Sequence, residues 1–199
     1  MGKIVVTEFV SLDGVFEDPG GAEGYAHGGW TFTFNQGEDG AKFKLDELMA
    51  ADAQLLGRVT YEGFAKAWPS MTDPVGFADK MNRMPKYVVA STLAEAGWNN
   101  SSVIGLDAVP GLKDTYQGDI LVAGSGQLVR GLTGLGLVDE YRLMVFPRVL
   151  GTGKRLSDGA ARVNLKLADV TRIGPDGVTI QRYKPAGAWR GPGLRTPPG

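Results

Sequence analysis

A chain of 199 residues that is 43% hydrophobic and 22% charged has the make-up of a folded globular protein, long enough for one domain with a sizeable core. Its formal net charge of -1 gives no electrostatic reason to expect nucleic acid or an anionic membrane as a partner. There is no cysteine and His27 is the only histidine, which excludes disulfides, thiolate metal sites, cysteine nucleophiles and any mechanism needing two imidazoles; no metal site is expected.

The amino-terminal run Met1 to Glu8 has no long apolar core and is interrupted by Glu8, so it does not read as a signal peptide. No stretch approaches the roughly 18 apolar residues of a membrane span. A cytoplasmic enzyme or binding protein for a small molecule is the expected class.

Lys3 to Phe9 is a Val/Ile-rich strand ending in the turn residues Ser11-Leu12-Asp13-Gly14. From Asp18 to Gly40 runs a long Gly-rich segment whose Tyr25, Trp30, Phe32 and Phe34 favour a loop packed on something. Ala41 to Ala51 has a helical period, with Asp46 and Glu47 on its solvated edge. Ala53 to Leu56 is a short buried strand, and Gly57-Arg58-Val59-Thr60 leads into a helix carrying Tyr61, Phe64, Ala65 and Trp68. A helix over Phe77 to Met84 ends before Pro85, and Lys86 to Ala90 is a strand. Val103-Ile104 is a weak strand before a helical or irregular stretch around Ala108 to Tyr116. Strand Asp119 to Val122, helix Gly124 to Leu135 and strand Glu140 to Phe146 follow. Leu165 to Ile173 and Val178 to Tyr183 flank Pro175-Asp176-Gly177, a hairpin turn. The alternation predicts one α/β domain over residues 1–184, its mixed sheet parallel in the middle and antiparallel at one end. Residues 185–199 read as a flexible Pro/Gly-rich tail or packing arm.

Two strand–glycine–helix junctions carry the chemistry. In Leu56-Gly57-Arg58-Val59-Thr60, a helix start offers free N–H groups and a positive dipole end, and Arg58 adds a fork of donors. Read as structure alone, the same residues make a tight turn with an N-cap and a solvated arginine. The second, Val122-Ala123-Gly124-Ser125-Gly126-Gln127-Leu128, begins like a Rossmann fingerprint but has Val129 where the third glycine belongs. Two such turns in one small sheet match the two phosphates of a dinucleotide. Between them Val89-Ala90-Ser91-Thr92 ends a strand in two hydroxyls, suited to a ribose phosphate or simply to capping.

In this order, and with Ser11-Leu12-Asp13-Gly14 ahead and Gly136-Leu137-Val138-Asp139-Glu140 and Pro147-Arg148-Val149-Leu150-Gly151 behind, the motifs resemble the dihydrofolate reductase-like superfamily. The nearest branch is the carboxyl-terminal reductase domain (RibD type) of riboflavin biosynthesis, and the likeness spans residues 3–184. The resemblance implies a three-layer α/β/α, dihydrofolate reductase-like fold and an NADPH-dependent reductase acting on a small planar heterocycle, pterin-like or ribosylaminopyrimidine-like. It places Gly57, Arg58, Val59 and Thr60 at the pyrophosphate and Ser91 with Thr92 near the adenosine phosphate. Ala123, Gly124, Ser125, Gly126, Gln127 and Leu128 then lie under the pyrophosphate and nicotinamide ribose. Phe9 and Phe16 flank the nicotinamide, and Val15 to Trp30 acts as a mobile lid.

Dihydrofolate reductases carry a pterin-binding carboxylate a few residues after the loop tryptophan. Here Trp30 is followed by Thr31-Phe32-Thr33-Phe34-Asn35, so Trp30 and Asn35 are the substrate-side candidates and dihydrofolate itself is not the expected substrate. Asp13 is the best-placed catalytic acid if one is needed, and the turn chemistry around it favours a turn residue bonding its own backbone. His27 could reach substrate from the lid or be an ordinary exposed loop histidine. The alternative function is a non-catalytic dinucleotide-binding or regulatory protein on the same fold. A homodimer is expected, with a seam over Gly134 to Arg148 and the apolar strand Glu140 to Phe146 pairing or packing across a two-fold axis.

Overall fold

The structure is a computed structural model and describes residues 1–188. Eight strands form one sheet: β1 (Lys3–Ser11), β2 (Ala51–Gly57), β3 (Lys86–Val89), β4 (Ser101–Ile104), β5 (Asp119–Val122), β6 (Glu140–Phe146), β7 (Val163–Ile173) and β8 (Val178–Ala188). Their order is β4-β3-β2-β5-β1-β6-β8-β7. Every pairing from β4 to β6 is parallel; β8 runs antiparallel to β6, and β7 antiparallel to β8. The mixed sheet has the expected arrangement, with the antiparallel hairpin at one end.

Five helices cover the two faces: α1 (Gly37–Ala50), α2 (Arg58–Ala67), α3 (Phe77–Arg83), α4 (Val109–Thr115) and α5 (Gly126–Gly134). Ile4, Val6, Leu55, Ile120 and Val122 pack on one face against Val109 and Leu112 of α4 and Leu128, Val129 and Leu132 of α5. On the other, Val5, Leu56, Val88 and Leu121 meet Leu48 of α1, Tyr61 of α2 and Met81 of α3. Central parallel strands are therefore apolar on both faces, as a sheet covered by helices on both sides requires. A third cluster, Trp30, Met144, Phe146, Ile173, Val178 and Ile180, closes the antiparallel end.

Three boundaries differ from the expectation for local reasons. β1 continues to Ser11 because β6 pairs with it as far as Phe146. α1 starts at Gly37, where Asn35 Oδ1 accepts the Gly37 N–H and Glu38 and Asp39 favour the helix dipole. α5 starts at Gly126, since Gly124 has φ 92°, outside the helical region. The expected tail boundary at residue 185 falls inside β8, whose ladder with β7 reaches Ala188. The rest of that tail, 189–199, lies outside the described residues. β6 is paired on both edges, with β1 and β8, so it has no free edge through which to pair with a second copy.

Glu47 is not on a solvated edge. It is 5% exposed and accepts hydrogen bonds from Thr7 Oγ1 at 2.7 Å, Lys44 Nζ at 2.7 Å and Arg142 at 3.4 Å, whereas Asp46 is the exposed partner of Lys42. Arg142 of β6 also grips Glu140 and Asp119, each at 2.7 Å, and so ties β6, β5 and α1 together from inside. Removing one member of such a network strands the others without a counter-charge. Arg142→Leu is expected to cost about 3–5 kcal/mol in urea unfolding, against near-neutrality for Lys42→Leu at the surface pair.

Candidate active site

The carboxyl ends of β1, β2, β3 and β5 converge on one edge of the sheet, the position where open α/β sheets bind ligands. At that edge the two glycine turns touch. Gly57 N–H donates to Gly124 O at 3.2 Å, and a Cβ at Gly57 would lie 2.3 Å from Ser125 Oγ and 3.0 Å from Ser125 Cβ. Only glycine permits this approach. Gly124 and Ser125 are joined by a cis peptide bond, and a Cβ at Gly124 would lie 2.7 Å from Thr60 Oγ1. Gly126 is equally confined: a Cβ there would lie 2.4 Å from the edge of the Phe16 ring.

Beside these turns α2 and α5 begin with no side-chain cap and no acidic residue in the first turn. Two positive dipole ends thus open on the same cavity, which has a volume of about 410 Å³. Eight of the expected cofactor residues line it: Gly57, Arg58, Val59, Ser91, Thr92, Ser125, Gln127 and Leu128. Thr60, Ala123, Gly124 and Gly126 belong to the turns that shape its wall. Val89, Ala90, Gly105 and Leu106 complete the lining. Gly105 and Leu106 escaped the sequence reading, although Val103-Ile104-Gly105 repeats the strand–glycine signal of the other two turns. Arg58 is held by Glu62 at 2.9 and 3.0 Å, one helical turn along. A wider groove of about 650 Å³ lies along the outer side of α2, lined by Glu62, Lys66, Asn82 and Trp98. It is away from the strand ends and has neither helix start, so the smaller cavity is the one that joins both glycine turns.

The substrate-side candidates divide. Phe16 stands over the start of α5. Phe9 and Trp30 pack edge-to-face on Phe146, with ring centroids 5.9 and 5.3 Å away; Trp30 is 2% exposed and its Nε1–H donates to Glu17 O. Trp30 therefore pins the loop to the core. Asn35 is occupied by its own loop: Oδ1 accepts from Gly37, and its N–H donates to Asp176 at 2.6 Å. Asp18, 2% exposed, accepts N–H bonds from Glu23 and Tyr25, while Tyr25 Oη donates to Thr152 O and Glu17 pairs with Lys154. The segment read as a mobile lid is clamped at several points. His27 packs edge-to-face on Tyr25 within it.

Asp13 is a clamp as well. Its carboxylate accepts from the Ser11 hydroxyl at 2.6 Å, from the N–H groups of Leu150 and Gly151 and from Arg155 at 3.3 Å. The Ser11 bond first, then those backbone donors, hold it far below the usual carboxylate range. A group so firmly ionised is a poor proton donor; its geometry is that of the turn residue.

Glu8, which sequence reasoning treated only as a charge interrupting an apolar run, is the carboxyl that faces this corner. It lies near the end of β1, one oxygen, Oε1, fully buried with no hydrogen-bond partner, and a Cβ at Gly124 would lie 3.7 Å from that oxygen. Burial raises its pKa from 4.5 to about 8, with Lys44 opposing and Glu23 reinforcing the shift. The signal available was a carboxylate inside an otherwise apolar central strand.

The family model of the RibD C-terminal domain matches residues 2–179. The chain belongs to the RibD C-terminal domain family. Uncharacterized protein YyaP of Bacillus subtilis (strain 168) is 34% identical over 141 residues, covering 67% of this chain and 73% of that protein. Among solved structures, a putative riboflavin biosynthesis protein from Shewanella sp. PV-4 superposes with TM-score 0.72 at 17% identity, covering 93% of this chain and 99% of that one. Dihydrofolate reductase from Enterococcus faecalis, complexed with NADP(H), superposes with TM-score 0.60 at 13% identity over 94% and 98% of the two chains. The fold is dihydrofolate reductase-like. No helix among the described residues is long and apolar enough to cross a membrane.

Because the Glu8 pKa is higher folded (about 8) than its usual 4.5, the native state holds a proton that the unfolded chain has released between those values. Its contribution is fully present below pH 4.5 and is lost as pH rises to about 8. Urea unfolding across this window is expected to show stability falling with pH in the wild type more steeply than in Glu8→Gln. Parallel slopes in the two proteins would contradict the shift.

Proposed function

We propose that the chain is an NADPH-dependent reductase that delivers hydride to a small planar heterocycle, pterin-like or ribosylaminopyrimidine-like. The observation that carries this reading is the pair of uncapped helix starts, α2 and α5, opening side by side on one cavity at the strand ends. Family membership and the NADP(H) complex of the Enterococcus dihydrofolate reductase support it.

The residues present fit such a dinucleotide. Gly57, Gly124 and Gly126 let the turns pack closely enough for both helix starts to open on the cavity, and no acidic residue in either first turn would repel a pyrophosphate there. Arg58 can exchange its exposed partner Glu62 for phosphate oxygens at small cost, since exposed i,i+4 pairs contribute only about 0.3–0.5 kcal/mol. Ser91 and Thr92 also line the cavity, and in this reading they take the adenosine end of the cofactor. The bound cofactor supplies the hydride; the chain orients it through these turns, excludes water with the clamped loop and provides a proton source. The occupied carboxylate of Asp13 leaves the non-catalytic reading with one argument, which the free carboxyl of Glu8 offsets.

NADPH added to the protein is expected to show enhanced nicotinamide fluorescence, saturating in the micromolar range. Gly57→Ala, which drives a methyl group into Ser125, is expected to weaken this binding by about tenfold or more, given the 1–3 kcal/mol typical of overpacking. Wild-type protein that shows no binding at high micromolar NADPH would sink the proposal.

The proposal includes a homodimer, formed through the free edge of β7. β7 is an eleven-residue edge strand with Leu165, Leu167 and Val170 at least 40% exposed, and such an edge can pair with its own copy about a two-fold axis. Light scattering should give twice the chain mass for the wild type and the chain mass for Leu167→Lys; a wild-type monomer contradicts it.

A further inference from the structure

A buried carboxyl oxygen without a partner is costly unless something arrives to use it, because a buried polar group carries the full desolvation penalty. Among the described residues only four buried side-chain polar atoms lack a partner, and Glu8 Oε1 is the one at the corner formed by β1 and the Gly124-Ser125 turn. Ser101 belongs to the distant edge strand β4, Arg182 lies over the Phe43 ring on β8, and Gln54 uses its amide nitrogen on Met81 beneath the sheet. Glu8 is partly exposed as a residue although Oε1 itself is buried, and Oε1 lies 3.7 Å from where a Cβ on Gly124 would stand, against the turn that shapes the cavity wall.

We propose that Glu8 is the general acid of this site, its carboxyl giving a proton to a ring nitrogen of the bound heterocycle as the adjacent ring carbon takes hydride. The proposal rests on the reductase reading above and specifies the substrate class for it: a planar ring with a C=N bond whose nitrogen turns toward β1. Hydride adds to the carbon of that bond, the π pair moves to nitrogen, and the nitrogen takes the Glu8 proton. The C=N bond becomes CH–NH, the dihydronicotinamide is oxidised by two electrons, and Glu8 is left as a carboxylate that water reprotonates.

The surroundings keep this carboxyl protonated. Burial raises its pKa to about 8, so it holds its proton at neutral pH, where Asp13 is ionised. The charges facing it are few. Lys44 of α1 favours the carboxylate, but Lys44 is already committed to Glu47 and Thr7 at 2.7 Å. Glu23 of the clamped loop favours the neutral acid. Oxidation of the cofactor to its cationic form would then favour the carboxylate that the transfer leaves behind.

The test uses full-length protein labelled with ¹³C in glutamate carboxyl groups, the Glu8 signal being assigned by its loss in Glu8→Gln. That signal is expected to titrate near 8 in the free protein; a midpoint near the ordinary 4.5 overturns the proposal. With NADPH and a 7,8-dihydropterin, whose ring carries such a C=N bond, as acceptor, wild-type turnover should fall through the same midpoint as pH rises. Glu8→Gln should bind NADPH within about threefold of wild type yet turn over about 100-fold or more slower, with the pH dependence gone. Glu8→Gln turnover equal to wild type across pH 6–9 overturns the role of Glu8 alone. Loss of NADPH binding in the wild type would instead overturn the reductase reading.

Discussion

The contact between the Gly57 turn and the Gly124-Ser125 turn is the constraint on which the site depends. β2 and β5 are neighbours in the sheet, so the turns that leave them must pass within van der Waals distance before their helices diverge. With no side chain on either glycine, backbone packs against backbone, joined by the Gly57–Gly124 hydrogen bond, and the starts of α2 and α5 emerge side by side. Any larger residue would push the two helix starts apart. The electrostatic character of the cavity thus follows from packing, with no cluster of cationic side chains behind it.

The antiparallel end of the molecule serves that cavity from the other side. Phe146 receives Phe9, Trp30 and Phe34 edge-to-face, which fixes both the end of β1 and the long loop over it. Asp13 and Glu17 then pin the β1 turn and the loop to residues 150–155, while Asp18 folds the loop on itself through the N–H groups of Glu23 and Tyr25. These carboxylates are spent on geometry, and the one at the end of β1 that is not spent is Glu8. Order in the surrounding loops is what leaves a single carboxyl in position to act.

Much of this was legible in the sequence because the signals were local. Strand–glycine–helix junctions at Gly57 and Gly124 announce themselves through hydrophobic runs broken by one residue type, and the Pro175-Asp176-Gly177 turn fixes the terminal hairpin. What was not legible depends on contacts distant in sequence. Asp13 looked catalytic until Leu150, Gly151 and Arg155, some 140 residues on, were found around it. Glu47 looked solvated, but β6 delivers Arg142 to it. Glu8 carried a signal, a charge inside an apolar strand, whose meaning rests on burial that no local pattern encodes. The free edge of β7 likewise follows from the strand order, which the element sequence alone does not determine.

Titrating ¹⁵N-labelled protein with NADPH, and following backbone amide shifts, tests most directly whether the two glycine turns jointly hold a dinucleotide. The structure predicts the largest changes together at the amides of Arg58, Val59, Ser125, Gly126 and Gln127, on both helix starts. Changes confined to one turn, or centred on the groove beside Lys66 and Trp98, would contradict it.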